Sequence, residues 1–135
     1  MSTSRIVVSS GSEFESTVGY SRAVRVGPLV VVSGTTASET SDDIAGQTRE
    51  ALRRIEIALV EAGAALGDVV RTRIYVTDIA RWREVAAVHA DVFGQIRPAS
   101  TMVEVAALIE PGLLVEIEAD AYSLSAGKPP SASAR

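Results

Sequence analysis

Residues Arg97–Ala121 read RPASTMVEVAALIEPGLLVEIEADA. Two strand-like runs, Thr101–Ala106 and Leu114–Ser123, flank Glu110-Pro111-Gly112, a turn in which proline fixes φ and glycine tolerates positive φ. In the second run Val115, Ile117, Ala119 and Ala121 alternate with Glu116, Glu118, Asp120 and Tyr122. One face of the strand is therefore apolar and the other carries carboxylates. Such a strand needs apolar cover on one side only, and the rest of the chain must supply it.

The cover lies upstream. Ile44, Thr48, Ala51, Leu52, Ile55, Ala58, Leu59 and Ala62 recur at helical spacing, and Arg49, Glu50, Arg53, Arg54, Glu56 and Glu61 mostly fall off that stripe. Asp42 or Asp43 suits the N-cap and Gly63 the residue after the C-terminus. A second helix runs from about Ala80 to Phe93 on Val85, Val88 and Val92, with Gly94 ending it and Trp82 and Phe93 expected in the core. Between the helices, Val69–Thr77 alternates Val70, Thr72, Ile74 and Val76 against Arg71, Arg73 and Tyr75, as a strand covered on one side does. Nearer the N-terminus, Arg5–Val8 is a short β-branched run expected at a sheet edge, and Tyr20–Val26 with Leu29–Ser33 forms a hairpin about Gly27-Pro28. The order β-β-β-α-β-α-β-β predicts an α+β fold, a single mixed sheet with two helices on one face. Residues 1–124 read as one domain and 125–135 as a disordered tail of Ser, Ala, Gly, Lys, Pro and Arg.

Composition narrows the function. The 135 residues carry a formal net charge of -4, one histidine and no cysteine. There is no basic field for a phosphate backbone, which disfavours a nucleic-acid binder or ribonuclease. Disulfides and thiolate nucleophiles are excluded, and one histidine without cysteine does not make a transition-metal site of ordinary ligand count. His89 reads as a helix-surface residue. Gly63–Gly67 lacks the Lys-Ser/Thr of a P-loop. No apolar run suits a membrane span or a secretory leader, so the expected location is cytoplasmic with no membrane partner.

Several ordered motifs carry a resemblance: Val18-Gly19-Tyr20-Ser21-Arg22, Ser33-Gly34-Thr35-Thr36, the Ala62-Gly63 helix end, Val76-Thr77-Asp78, Pro98-Ala99, Val103-Glu104-Val105 and Glu116-Ile117-Glu118-Ala119. In this order and at these separations, from about Gly19 to Ala121, the chain resembles the Rid family, the YjgF-like reactive intermediate deaminases. The resemblance implies a chorismate-mutase-like fold and a homotrimer with small-molecule clefts at the subunit boundaries, and it calls for no cofactor and no metal. Transferred position by position, it places the site at Tyr20 from one subunit and at Ser33, Gly34, Ser100, Thr101 and Glu116. Glu116 takes the catalytic role of orienting a water at a C=N carbon, and backbone N–H groups near Gly34 and Thr101 receive carboxylate oxygens.

The resemblance also has a gap. Imine-hydrolysing members carry an arginine after the Pro-Ala pair to grip the substrate carboxylate, and here Ser100 follows Pro98-Ala99. A guanidinium offers two charge-assisted hydrogen bonds where serine offers one hydroxyl. Turnover of 2-aminoacrylate is therefore expected to be weak or absent. Arg73 is the first candidate to replace the lost charge, ahead of Arg22 and Arg97, because its strand pattern puts it on the face away from the helices. Two functions stay open: a hydrolase or deaminase acting on an enamine, imine or related carbonyl compound, and a non-catalytic trimeric protein that binds a ligand or partner. Read on their own residues, Glu116 is one carboxylate of an acidic strand face, Tyr20 is packing and Gly34 is a bulge.

Overall fold

The computed structural model describes residues 4–125. In chain order the elements are β1 (Arg5–Val8), α1 (Glu13–Val18), β2 (Ala23–Val26), β3 (Leu29–Thr35), α2 (Ile44–Glu61), β4 (Val69–Val76), α3 (Trp82–Phe93), β5 (Ala99–Glu104) and β6 (Val115–Tyr122). All six strands form one sheet in the order β1-β2-β3-β6-β4-β5. Only β4 and β5 pair in parallel, joined by the α3 crossover, and the other pairings are antiparallel. The final strand β6 slots between β3 and β4 and so welds the N-terminal hairpin to the rest. The expected mixed sheet with helices is present.

The helix stripes form the core against the inner face of the sheet. Ile44, Thr48, Ala51, Leu52, Ile55, Ala58, Leu59 and Ala62 are all buried, together with Val85, Val88 and Phe93. They meet Val30, Val32, Ile74, Val76, Val115, Ile117, Ala119 and Ala121 from the sheet. Burial of an Ile or Leu side chain of this kind contributes about 1.5–3 kcal/mol. The Asp43 side chain caps α2 by accepting from the Gly46 N–H at 2.9 Å, and Gly63 reverses the chain at φ 82°, where a side chain would be strained. Gly27 takes φ 60° at the first position of the two-residue β2–β3 turn, as tight hairpins demand.

Four sequence expectations need correction. The polar stretch after β1 holds a third helix, α1, whose N-cap Ser12 accepts from Phe14 N–H and whose end is closed by Gly19 at φ 91°. Six residues are too few to print a helical period. Val70 does not join Thr72, Ile74 and Val76 inside: the register slips between Val69 and Arg71, and this bulge leaves Val70 52% exposed. Trp82 is 42% exposed, its indole under the Arg83 guanidinium at 4.5 Å, because core contact along α3 begins only at Val85. His89 is no surface residue. It is half-buried, with Nε2 2.9 Å from the Oγ1 of Thr72 on β4 and its ring 4.8 Å from that of Phe93.

Two buried polar side chains lock the frame. Arg25 on β2, 1% exposed, donates to Gly27 O, Ala62 O and Ser123 O at 2.9, 2.8 and 3.1 Å. It thereby ties the hairpin turn, the C-terminus of α2 and the end of β6 together, and it satisfies a carbonyl at the negative end of the helix dipole. Gln47 on α2, fully buried, donates to Asp42 O and Gly112 O and accepts from Leu114 N–H. The expected tail lies, apart from Ser125, outside the described residues.

Candidate functional site

The site grows from an irregularity in β3. Val32 pairs with Ala119 and Thr35 with Ile117, so Ser33 and Gly34 together stand opposite one residue of β6, as the bulge reading of Gly34 anticipates. The bulge brings the Gly34 backbone under the Glu116 side chain. A β-carbon on Gly34 would collide with Glu116 Oε2 and lie 2.9 Å from its Cδ. Glycine leaves the space of a side chain free for the carboxylate.

Arg22 holds the bulge from behind. It is 6% exposed, and its guanidinium donates to Gly34 O at 2.7 Å, Thr35 Oγ1 at 2.9 Å and Tyr20 Oη at 3.1 Å. The Ser33 hydroxyl donates to Ser21 O at 2.6 Å, which pins the Tyr20–Arg22 segment to the bulge. On its far side Arg22 Nε faces Glu15 Oε2 at 3.7 Å and has no hydrogen-bond partner among the described residues. Glu15 is buried in α1 and also accepts from Ser9 Oγ, Ser10 N–H and Ser10 Oγ. Burial pushes its pKa up, but the hydrogen bonds from Ser10 and Ser9 and the charge of Arg22 outweigh this and hold it below the usual carboxylate value.

These residues line an open cleft of about 740 Å³ whose polar members include Tyr20, Arg22, Ser33, Gly34, Arg54 and Glu116, with Glu13 and Glu110 at its margin, and whose apolar walls include Phe14, Val18, Ile109 and Leu113. Arg54 reaches in from α2 and donates to Thr36 O at 2.6 Å. Burial and the neighbouring Arg22 charge lower its pKa from the ordinary guanidinium value. Glu116 is shifted the other way: burial, then repulsion from Glu118, raise its pKa, and Arg22 opposes the shift. A carboxylate that is half-buried, raised in pKa and free of hydrogen-bond partners among the described residues is suited to exchange protons with a bound molecule. Glu116 also borders a second concavity on the outer face, beside Tyr75, Leu108, Ile109 and Glu118. Among the described residues no group of three His, Asp or Glu side chains is placed to hold a metal ion.

Of the predicted site residues, Tyr20, Ser33, Gly34 and Glu116 meet in this cleft within one chain. Ser100 and Thr101 do not line it. Ser100 turns to the helix side, where Thr72 Oγ1 donates to its Oγ at 2.8 Å, and Thr101 is exposed in register with Arg73. Arg73, the first candidate to replace the missing arginine, is ion-paired on the outer face with Glu118 at 3.0 Å and Asp120 at 3.3 Å. Arg22, the second candidate, is the one in the cleft. Sequence reading missed Arg54 and the α1 wall. Arg54 sits beside Ile55 at the margin of the α2 stripe, and that flanking position was the only available signal.

The comparisons agree with this architecture. The family model described as "Endoribonuclease L-PSP" matches residues 10–123. A RutC family protein of Pyrococcus abyssi is 36% identical over 109 residues, 76% of this chain and 85% of that protein. The 3-aminoacrylate deaminase RutC of Acinetobacter baylyi is 33% identical over 109 residues, 76% of this chain and 86% of its own. Among solved structures, a member of the YjgF/YER057c/UK114 family from Mycobacterium tuberculosis is 78% identical with a TM-score of 0.85, covering 88% of this chain and 99% of that one. The YjgF gene product of E. coli is 31% identical at a TM-score of 0.71, over 76% and 87% of the two chains. A model match over most of the chain, together with these relatives, places the protein in the Rid family, the YjgF-like proteins that the model describes under endoribonuclease L-PSP.

Proposed function

We propose that this Rid-family chain is a cytoplasmic small-molecule hydrolase that acts on an enamine, imine or related carbonyl compound, with Glu116 as its acid–base residue. The observation that carries the reading is the Glu116 carboxylate lying over Gly34 in a cleft, with a raised pKa and no hydrogen-bond partner among the described residues. In the ionised state Glu116 takes a proton from water as the oxygen attacks the C=N carbon and the electron pair moves to nitrogen. That proton passes to the same nitrogen to give the carbinolamine, and Glu116 then carries the carbinolamine's hydroxyl proton to the amino group as the C–N bond breaks, releasing ammonia and a carbonyl product. The deaminase relative of Acinetobacter baylyi supports this chemistry. Because Ser100 stands at the carboxylate-gripping position, turnover of 2-aminoacrylate should be weak or undetectable. The net charge of -4 and a single histidine packed against Thr72 and Phe93 speak against ribonuclease chemistry.

The reading includes a chorismate-mutase-like homotrimer with the outer sheet faces about a common axis. Leu29, Val31, Val103 and Tyr122 are exposed there among Arg73, Glu118 and Asp120, a mixture that suits an interface between copies. Ser100, Thr101 and Arg73 then belong to the boundary that a neighbouring chain completes. Sedimentation should give three times the 14.2 kDa chain mass, and a monomer at micromolar concentration would sink the trimer. The second reading, a binder without turnover, is favoured by Ser100 alone. Imines generated in situ by an amino-acid oxidase, with semicarbazide trapping what is not hydrolysed, decide between them. The hydrolase lowers semicarbazone yield and Glu116→Gln restores it, whereas equal yields with and without protein leave only the binder.

A further inference from the structure

Two guanidiniums share one wall of the cleft, and of the two only Arg22 has an ion-pair partner among the described residues. Arg22 and Arg54 both line the 740 Å³ cleft, and both also line a smaller cavity of about 290 Å³ behind it, so they form the partition between the two. The neighbouring carboxylates outside the cleft are engaged. Glu15 meets Arg22 from the side away from the cleft, at 3.7 Å. Glu50 is gripped by Arg53 through two bonds of 3.0 and 2.8 Å. Arg54 spends one donor on Thr36 O, and no other hydrogen bond of its fork is present among the described residues. Arg22, more than nine-tenths buried, keeps its Nε without a hydrogen bond. The cleft also contains carboxylates: Glu13 and Glu110 are exposed at its margin, and Glu116 lies against Gly34. None of them is ion-paired with Arg54 among the described residues.

We propose that Arg54, backed by Arg22, is the anion anchor of this cleft and receives the carboxylate of the ligand from α2. The proposal rests on the reading of the cleft as the Glu116 site and adds the residue that anchors the carboxylate of a ligand carrying an apolar substituent. A carboxylate between two neighbouring cations offsets their repulsion, and a guanidinium fork offers it two parallel hydrogen bonds. Phe14, Val18, Ile109 and Leu113 provide the apolar surface for the substituent. Arg22 cannot be the sole anchor, because most of its donors already hold Ser33, Gly34, Thr35 and Tyr20. It fixes the field, and Arg54 makes the contact.

The test uses the full chain and three probes: pyruvate as a stable 2-oxo analogue, its neutral methyl ester, and inorganic phosphate, each titrated by calorimetry. Arg22 substitutions risk the fold, so Arg54→Gln and Arg54→Lys are the variants. Pyruvate should bind at least tenfold more tightly than methyl pyruvate. Arg54→Gln should weaken pyruvate about tenfold, equivalent to about 1.4 kcal/mol, and leave the ester unchanged, with Arg54→Lys in between. Pyruvate affinity that ignores Arg54→Gln, or no pyruvate binding to the wild type, overturns the anchor. Phosphate bound more tightly than pyruvate at an Arg54-dependent site overturns the carboxylate assignment. The two levels separate cleanly: Glu116-dependent imine turnover with a KM unmoved by Arg54→Gln sinks the anchor alone. Arg54-dependent pyruvate binding without any imine turnover sinks the hydrolase and keeps the anchor.

Discussion

Glu116 fills the side-chain space of Gly34: a β-carbon on the glycine would lie 2.9 Å from the glutamate Cδ. The obstructing group is the tip of a flexible side chain, so Gly34→Ala should fold with a stability change within about 1 kcal/mol while swinging the carboxylate out of place. Imine turnover should fall about a hundredfold. A Gly34→Ala variant of full activity would show that the position of the Glu116 carboxylate is unimportant.

The raised pKa of Glu116 gives a pH dependence of known sign. Water activation needs the ionised form, so the acidic limb of kcat/KM should titrate above the usual glutamate value of about 4.3. Glu116→Gln should lower turnover by roughly 10²–10⁴-fold. Because the fold disfavours the charged form at this position, the same variant should melt at or above the wild-type temperature at neutral pH. A lower melting temperature would assign Glu116 a structural role instead.

Glu15 has the opposite sign. Its folded pKa is depressed, so its contribution is present above the unfolded value of about 4.3 and is lost as pH falls through the folded value. Wild type should lose melting temperature on acidification from neutral pH. Glu15→Gln, already deprived of the charged form, should start lower and show a flatter acid limb. Parallel limbs would mean that Glu15 is not coupled to the fold.

Arg25→Ala removes three bonds to backbone carbonyls at once, two of them buried. Each unsatisfied carbonyl costs about 1–3 kcal/mol, so urea unfolding should show a loss of at least about 3 kcal/mol. Arg25→Lys should recover only part, since one ammonium cannot span the turn, the helix end and the β6 terminus. A change under about 1 kcal/mol in Arg25→Ala would mean that water replaces the guanidinium there.

The helices and inner strands were legible because burial writes itself into period: every stripe residue predicted for α2, from Ile44 to Ala62, is buried. Features set by single residues or by tertiary context were not. The α1 turn is shorter than its own period, and the Val70 bulge is one inserted residue inside an otherwise regular alternation. Tyr20, Ser33, Gly34 and Glu116 were found as a group because their motifs stand in a known order. Arg54 was not, since an arginine flanking an apolar stripe looks the same whether it points to solvent or into a cleft. Arg73 misled for a related reason: strand alternation gives the face, and only the fold shows that Glu118 and Asp120 neutralise it there.

Gln47 has a further effect through its bonds to Asp42 O, Gly112 O and Leu114 N–H. It rivets the start of α2 to the turn from which β6 departs. Arg54 rides on that helix and Glu116 on that strand, so the two side chains are jaws of one calliper whose opening is preset. On the proposed reading, a cleft gauged in this way would select its occupant by length, admitting a molecule whose charged end and reactive carbon match the gap and not closing around one that falls short.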